Sequence, residues 1–163
     1  MEEKKKNKKI YIIIIAIFVL LLGFNFFSYF KTALLLSDRY IPVVYGKNPV
    51  NNKSDYIDLS KGVIILSGWG TWCGACIAEL PELNKIARKH TVYGIIKPPF
   101  KYETYRQLLP KFKSIILAED IFEELYISIF PTSILMQDGV VKEVHLGIMT
   151  EEFADKWVKS LEE

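Results

Sequence analysis

Metal-binding side chains are scarce in this 163-residue sequence, which contains only two cysteines and two histidines. Cys73 and Cys76 are separated by two residues, whereas His90 and His145 lie far apart. A structural zinc site usually takes four ligands, often from a second C-x-x-C pair or from two closely spaced histidines. We therefore expect no metal and no organic cofactor. We assign no role to the histidines, because both lie at the ends of elements, where a histidine is usually solvated.

Charged residues are missing from residues 10–30. A helix of about 20 uncharged residues is long enough to cross a hydrocarbon core of roughly 30 Å, so this run predicts a transmembrane helix. Residues 1–9 contain five lysines, and the positive-inside rule places them in the cytoplasm. Residues 28–33 lack the small-residue pattern of a cleavage site, so we expect the span to be kept as a signal anchor. The rest of a single-pass chain would then lie outside the cytoplasm, in the periplasm or at the outer face of the cell membrane.

A large excess of one charge is also missing beyond the lysine tail. The formal net charge is +2, and the tail alone supplies more than that. This balance argues against nucleic acid as a partner. Residues 31–55 carry turn-forming Pro, Gly and Asn around a possible short strand, Val43–Tyr45, and we interpret them as a tether and the N-terminal edge of a domain. Residues 56–163 have a length that suits one domain with one core.

Strand and helix patterns alternate through this domain. The predicted strands are Tyr56–Leu59, Val63–Ser67, Thr91–Ile96, Ser114–Leu117, Thr132–Gln137 and Val140–His145. The predicted helices are Cys73–Lys89, Tyr102–Leu109, Asp120–Tyr126 and Glu151–Leu161. Asp138–Gly139 is typical of a two-residue hairpin turn, and Thr150 is typical of a helix N-cap. The order predicts an α/β fold in which helices flank both faces of a central mixed sheet.

The cysteine pair falls at a junction between a strand and a helix. An apolar, β-branched run precedes it, and helical spacing of apolar residues follows it. Unpaired N–H groups and the helix dipole favour a thiolate at such a position. We therefore expect Cys73 to be the nucleophile and Cys76, one turn further in, to be the resolving thiol. A structural disulfide or half of a metal site remains the alternative for an isolated C-x-x-C pair.

The residues around this pair resemble the thioredoxin superfamily. The resemblance rests on Trp72-Cys73-Gly74-Ala75-Cys76, on Glu79-Leu80-Pro81, on Phe130-Pro131-Thr132, and on Asp138-Gly139 and Gly147 in their order. Within that superfamily, the sequence is most similar to the membrane-anchored TlpA-like and ResA-like thiol-disulfide oxidoreductases, from about Tyr56 to the C-terminus. The resemblance implies a thioredoxin-like fold and a redox-active disulfide between Cys73 and Cys76.

The segment around Pro131 contributes to the substrate site by this resemblance. A proline at the start of a strand is either an edge residue or part of a cis turn. The resemblance implies the cis form, packed beside the cysteines. Phe130, Pro131 and Thr132 would then bind a substrate strand through backbone hydrogen bonds, which tolerate varied partners. We expect Trp72, next to Cys73, to add an apolar contact surface.

Glu79 is the candidate for proton transfer. It lies one turn beyond Cys76 on the same helical face, so its carboxyl group can approach the resolving sulfur. An exposed surface glutamate is the alternative, and the resemblance to the acidic residue of ResA-like proteins favours the catalytic role. Thioredoxin itself has a buried aspartate on the strand before its cysteines, and the matching residue here is Ser67. If a carboxylate assists Cys76, Glu79 is therefore the remaining candidate.

The function implied is reduction of disulfides in proteins of the cell envelope, for example in cytochrome c maturation, with a transmembrane thiol carrier as electron donor. Two alternatives remain: an oxidase of the same fold that donates disulfides, and a tethered binding module or metal chaperone without turnover. The segment from residue 97 to 113, which begins Lys97-Pro98-Pro99-Phe100-Lys101, departs from thioredoxin. It is either a family insertion or a lip of the substrate groove.

Overall fold

The computed structural model describes residues 13–21, 23, 36–108 and 110–161. Residues 13–21 are helical with exposed side chains, and they are designated helix α1. The predicted membrane span, residues 10–30, lies in large part outside the described residues. Within the described ranges, no helix combines the length and the apolar character that crossing a membrane requires.

The rest of the described chain forms one mixed sheet with helices on both faces. Its elements in chain order are β1 (Val43–Lys47), β2 (Ser54–Asp58), β3 (Val63–Trp69), α2 (Gly74–Ile86), β4 (Val92–Ile96), α3 (Tyr102–Leu108), β5 (Ser114–Leu117), α4 (Asp120–Glu124), β6 (Thr132–Gln137), β7 (Val140–Leu146) and α5 (Glu151–Lys159). The strand order across the seven-stranded sheet is β2-β1-β5-β4-β3-β6-β7. The α/β fold with a mixed sheet is confirmed.

The N-terminal part of the domain is a β-hairpin at one edge of this sheet. Strand β1 pairs antiparallel with β2, and Lys47 pairs with Leu117 of β5. The hairpin lies close against β5, because a Cβ atom on Gly46 would be 2.6 Å from the Leu117 carbonyl oxygen. Leu36 and Ile41, which precede β1, are buried. Residues 36–55, which the sequence assigned to a tether and an N-terminal edge, therefore contribute a strand and core side chains.

Strand β3 lies near the middle of the sheet, and both of its faces are covered. It runs parallel to β4 and antiparallel to β6. Ile64 and Leu66 belong to a core that includes Phe122 of α4. Ile65 belongs to a second core, which includes Leu83 of α2. A strand buried on both faces is apolar at successive positions rather than at alternate ones, which explains the continuous apolar run in the sequence.

The C-terminal hairpin and helix follow the local signals in the sequence. Asp138 and Gly139 have φ values of 50° and 81°, as a two-residue hairpin turn between β6 and β7 requires. Asp138 Oδ1 accepts a hydrogen bond from the Gly62 N–H at 2.8 Å, which ties the turn to the start of β3. Thr150 caps α5 by accepting a hydrogen bond from the Phe153 N–H at 3.3 Å. These predictions are confirmed, and α5 packs beside α2 on the same face of the sheet.

Candidate active site

The cysteine pair lies where β3 ends and α2 begins. Cys73 is the N-cap of α2, and its Sγ accepts a hydrogen bond from the Cys76 N–H at 3.2 Å. The two residues form a disulfide, with their Cα atoms 5.3 Å apart. The first turn of α2 contains no acidic residue. On reduction, the positive end of the helix dipole therefore acts on the Cys73 sulfur without an opposing carboxylate in that turn.

The two cysteines differ in how a partner protein can reach them. Cys73 is 8% exposed, whereas Cys76 is 1% exposed. Cys76 packs in a cluster with Trp69 and Ile96, beneath the start of the helix. This asymmetry agrees with the predicted roles, because an intermolecular attack needs an accessible sulfur and the resolving attack occurs within the chain.

Glu79 is fully buried, so the surface alternative for this residue was wrong. Its Oε1 accepts a hydrogen bond from the Met149 N–H at 2.7 Å, and its Oε2 has no partner among the described residues. Burial raises the pKa of Glu79 to about 7, although the Met149 hydrogen bond opposes that rise. A carboxyl group with this pKa changes its protonation state near neutral pH. It can therefore exchange a proton with a neighbouring thiol.

The Phe130–Pro131 peptide bond is cis, as the resemblance implied. The Pro131 carbonyl oxygen accepts a hydrogen bond from the Gly147 N–H at 2.9 Å, which joins this turn to the loop after β7. Thr132 is fully buried, and its hydroxyl donates to the Ile129 carbonyl oxygen at 2.6 Å. The Thr132 hydroxyl is thus used within the turn, and the residue pairs with both Gly68 of β3 and Leu146 of β7, so Thr132 lies inside the sheet rather than at the surface predicted for it.

Two aromatic side chains form an apolar surface beside the disulfide. Trp72 is 41% exposed, and its ring lies edge-on to the partly exposed Phe130 ring, with 5.3 Å between their centres. Trp69 is in contrast buried in the core. The placement of Trp72 agrees with the predicted contact surface. Ile148, in the loop after β7, is 51% exposed. No local pattern indicates it, because it is the hydrogen bond of its neighbour Gly147 to the Pro131 carbonyl oxygen that brings this loop to the site.

Residues 97–101 form a lip held against the segment that leads to Cys73. The Lys97 N–H donates to the Trp69 carbonyl oxygen at 2.9 Å, and Trp72 Nε1 donates to the Lys97 carbonyl oxygen at 3.2 Å. Thr71 Oγ1 donates to the Pro99 carbonyl oxygen at 3.4 Å and accepts from the Lys101 N–H at 2.9 Å. Of the two possibilities for this loop, the contacts favour a lip of the substrate groove.

Lys97 is a residue of this lip that sequence reasoning missed. Its ammonium group lies 5.6 Å from the centre of the Phe122 ring and 5.7 Å from that of Phe130. These distances are typical of cation–π contacts, which hold a lysine side chain in one place. The three residues are distant in the sequence, so no local pattern could have indicated the contact.

The two histidines make contacts with α5. His90 Nε2 lies 2.7 Å from Asp155 Oδ1, and the His145 ring lies tilted against Phe153 with 4.5 Å between centres. Within the described part of the chain, no group of three or more His, Cys, Asp or Glu side chains has an arrangement that would hold a metal ion.

Comparisons with known proteins point to the same chemistry. No family model matches the chain. The thiol-disulfide oxidoreductase ResA of Geobacillus kaustophilus is 26% identical over 149 residues, which cover 84% of this chain and 83% of that protein. ResA of Halalkalibacterium halodurans is 24% identical over 176 aligned positions, which cover 96% of each. Both relatives carry the activity in their names, and the present chain has an intact C-x-x-C pair at a helix N-terminus.

The chain is a thioredoxin-like thiol-disulfide oxidoreductase.

Among solved structures, StoA of Bacillus subtilis superimposes on this oxidoreductase with a TM-score of 0.60 and 21% sequence identity. The match covers 73% of this chain and 98% of StoA. At that identity, the likeness establishes the thioredoxin-like fold alone. The roles of Cys73, Cys76, Glu79 and the residues around Pro131 remain predictions, which the following experiments test.

Replacing each cysteine should separate their roles. Cys76→Ser keeps the accessible nucleophile and removes the resolving thiol, so mixed disulfides with a model substrate such as insulin should accumulate. Cys73→Ser leaves only the buried Cys76 and should trap almost nothing. Non-reducing gel electrophoresis measures the adducts. Equal trapping by the two variants would contradict the assignment.

Replacing Glu79 should change how stability depends on pH. The folded pKa of about 7 lies above the 4.5 of an ordinary glutamate, so the unfolded chain releases this proton at lower pH than the folded chain does. The free energy of unfolding should fall by about 3 kcal/mol between about pH 4 and pH 8 because of this one group. Glu79→Gln removes this contribution.

Urea unfolding of the oxidised wild type and Glu79→Gln at several pH values measures the difference. The variant should gain about 3 kcal/mol relative to the wild type over that pH range. The exposed Glu103→Gln substitution is the control and should leave the pH dependence unchanged. If the free energies of unfolding of the wild type and Glu79→Gln instead change in parallel with pH, the Glu79 carboxyl group ionises in the folded protein as it does in water.

Proposed function

We propose that this oxidoreductase is an extracytoplasmic reductase of protein disulfides in the cell envelope, anchored in the membrane by residues 10–30. The observation that carries the proposal is the buried Glu79, one turn behind a cysteine pair that is separated by the neutral Gly74 and Ala75. The Gly74-Ala75 dipeptide favours electron transfer from the protein to its substrate, and the Glu79 carboxylate accepts the proton of the Cys76 thiol. Disulfides in apocytochromes c are substrates that the ResA-like resemblance suggests.

The catalytic cycle starts from the dithiol. The Cys73 thiolate attacks one sulfur of a substrate disulfide, forms a mixed disulfide and expels the other substrate sulfur as a thiolate, which takes a proton. The Glu79 carboxylate then accepts the proton of the Cys76 thiol. The resulting Cys76 thiolate attacks Cys73 Sγ, forms the internal disulfide and expels the second substrate thiolate. The chain has been oxidised by two electrons and the substrate has been reduced by two.

The reductive direction follows from the residues between the cysteines. Gly74 and Ala75 carry neither a charge nor a side-chain donor, so they add nothing to the stability of the Cys73 thiolate beyond the helix terminus itself. Strong oxidases of this superfamily resemble one another in having a histidine there, whose positive charge stabilises the reduced form. Without that charge, the disulfide is a weak oxidant and the dithiol is a strong reductant.

Substrate binding uses the surface beside Cys73. Trp72 and Phe130 provide apolar area, and the turn at Pro131 places backbone groups beside them. A disulfide-containing segment that lies there in extended form pairs mainly through its backbone, so its side chains are free to vary. This mode of binding suits an enzyme that acts on several envelope proteins.

The proposed topology follows from the N-terminal sequence. The lysines of residues 1–9 are retained in the cytoplasm, and the uncharged run of residues 10–30 crosses the membrane. The exposed apolar side chains of α1 belong to this run. Outside the cytoplasm no pool of small thiols restores the dithiol. A transmembrane thiol carrier is therefore the proposed electron donor.

The reduction potential tests the direction of catalysis. We expect a value near that of thioredoxin, about −270 mV, rather than that of the strong oxidases at about −120 mV. The difference between them corresponds to roughly 7 kcal/mol, which is more than a surface charge supplies. Equilibration of the purified chain with dithiothreitol or glutathione buffers gives the potential. A value more oxidising than about −180 mV would favour the disulfide-donating oxidase instead.

The role of Glu79 is tested by the rate at which the mixed disulfide is resolved. In the wild type this rate should rise with pH through the Glu79 pKa of about 7, because the carboxylate is the form that accepts the proton. Glu79→Gln should slow resolution about 100-fold near neutral pH and move the rise to the higher pH at which a thiol ionises without a neighbouring base, while the initial attack by Cys73 changes little. Stopped-flow measurement of single turnovers separates the two steps. Identical pH profiles for both proteins would exclude proton transfer by Glu79.

The topology is tested by chemical labelling in intact cells. A thiol reagent that does not cross membranes should label Cys73 after mild reduction, because the domain is proposed to lie outside. A cytoplasmic protein with an exposed cysteine serves as the control and should remain unlabelled. Labelling of Cys73 only after lysis would place the domain in the cytoplasm.

A further inference from the structure

Buried polar side-chain atoms without a hydrogen-bond partner are few in the part of the chain that the structure describes. They are Ser67 Oγ, Trp69 Nε1, Glu79 Oε2 and Ser133 Oγ. The Trp69 ring is packed between Tyr105 and Phe112, so its N–H group lies among aromatic rings. The other three atoms are oxygens, and a buried oxygen without a partner is disfavoured in a folded protein. Their positions therefore call for an explanation.

The two serines are opposite each other in the sheet. Ser67 of β3 pairs with Ser133 of β6 in the antiparallel register. The Cβ atoms of residues paired in this way lie about 4.5–5.5 Å apart on the same face of the sheet. Both serines are fully buried. Their neighbours Ile65 and Leu135 belong to the core beneath α2, so the serines also lie on the face that α2 covers.

Helix α2 places Glu79 over these serines. The helix leads away from the end of β3 and passes back over that strand. Near its start, Cys76 packs in one cluster with Trp69, and two turns later Leu83 packs in one cluster with Ile65. Glu79 lies between Cys76 and Leu83 on the helix, as Ser67 lies between Trp69 and Ile65 on the strand. The three buried oxygens therefore converge on one region between the helix and the sheet.

We propose that Glu79, Ser67 and Ser133 together bind one internal water molecule, and that through it the two serines position the Glu79 carboxyl group. The inference rests on the proposed proton transfer between Glu79 and Cys76. A buried water typically makes about three hydrogen bonds to groups that otherwise lack partners, and this site offers three oxygens. A bridging water explains why the three oxygens lie in one region although none of them is hydrogen-bonded to another.

Hydroxyl groups suit a carboxyl group that must change its protonation state. A serine hydroxyl and a water molecule both donate and accept hydrogen bonds, so they can donate to the carboxylate before the proton arrives and accept from the acid afterwards. A lysine or arginine in the place of Ser67 would instead hold Glu79 in its charged form. The two serines therefore allow the Glu79 carboxyl group to gain and lose its proton.

Charged groups lie on the elements that pack around Glu79, and the test has to separate their titration from that of Glu79. They are Glu82 and Lys85 on α2, Arg88, Lys89 and His90 just beyond it, Glu151, Glu152, Asp155, Lys156 and Lys159 on α5, and Lys142, Glu143 and His145 on β7. Most of them are held in ion pairs, such as Lys85 with Glu82 and Lys89 with both Glu151 and Asp155. Cys76 is also adjacent in the fold, but it does not titrate in the disulfide form.

The test measures the Glu79 pKa in the oxidised full-length chain. The side-chain carboxyl carbon of Glu79 is followed by ¹³C NMR as pH is varied, and the signal is assigned by its loss in Glu79→Gln. Ser67→Ala and Ser133→Ala each remove a hydroxyl that stabilises the carboxylate. They should raise the pKa by about half a pH unit each, and the double variant should raise it by about one. The exposed Ser54→Ala is the matched control and should leave it unchanged.

A second measurement detects the water itself. A water-selective NOE experiment should show a long-lived water next to the Met149 amide proton, which donates to Glu79, and the double variant should lose that signal. If the Glu79 pKa is unchanged in the double variant, or if the water signal is undiminished, the inference is overturned. This holds whatever the rate at which the mixed disulfide is resolved. A raised pKa and a lost signal would support it. If these appear while Glu79→Gln resolves mixed disulfides as fast as wild type, the water site stands and the proposed proton transfer fails.

Discussion

Burial of the Glu79 carboxyl group beneath α2 costs free energy whenever that group ionises, and the surrounding fold has to offset the cost. Apolar packing of α2 and α5 against the sheet supplies the offset, through a core that includes Leu83, Ile86 and Trp157. The same packing brings the Met149 N–H to Glu79. The loop before the last helix thus contributes to the state of a carboxyl group near the middle of the chain.

The thiol chemistry depends on a second set of long-range contacts. Strands β3, β4 and β5 are parallel, so their C-terminal ends meet at one edge of the sheet. At that edge the segment before Cys73, the lip of residues 97–101 and the turn at Pro131 lie side by side. Hydrogen bonds among Thr71, Trp72 and the lip fix the approach to the disulfide. The fold therefore determines which face of Cys73 a partner meets.

The parts of the structure that were predictable from sequence are those set by neighbouring residues. The turn at Asp138–Gly139, the cap at Thr150 and the position of Cys73 at a helix N-terminus each depend on a few consecutive side chains. The long apolar strands were also predictable, because a sheet covered on both faces requires them. Their boundaries differ by at most two residues from those observed, and the differences arise because the ends of elements depend on caps and pairing partners.

The remaining features depend on contacts between distant parts of the chain. Strand β1 extends to Lys47 because Lys47 pairs with Ser54 of β2 on one side and with Leu117 of β5 on the other, and no local pattern encodes these pairings. The full burial of Glu79 depends on the loop that contains Met149, and the cation–π contacts of Lys97 depend on two other segments. The cis bond at Pro131 was expected only through family resemblance, because the sequence alone favoured an edge-strand proline.

The path of residues 36–41 has a consequence for how the domain is presented to other proteins. These residues join the domain beside the Asp138–Gly139 turn, where the Ile41 N–H donates to the Gly139 carbonyl oxygen at 2.6 Å. That turn is tied to the start of β3, and the disulfide lies beyond its end. The seven residues of β3 separate the two points by roughly 20 Å. In the proposed topology, the anchored chain enters the domain at the end of β3 opposite to the disulfide, so the proposed electron donor has to reach across this distance to contact it.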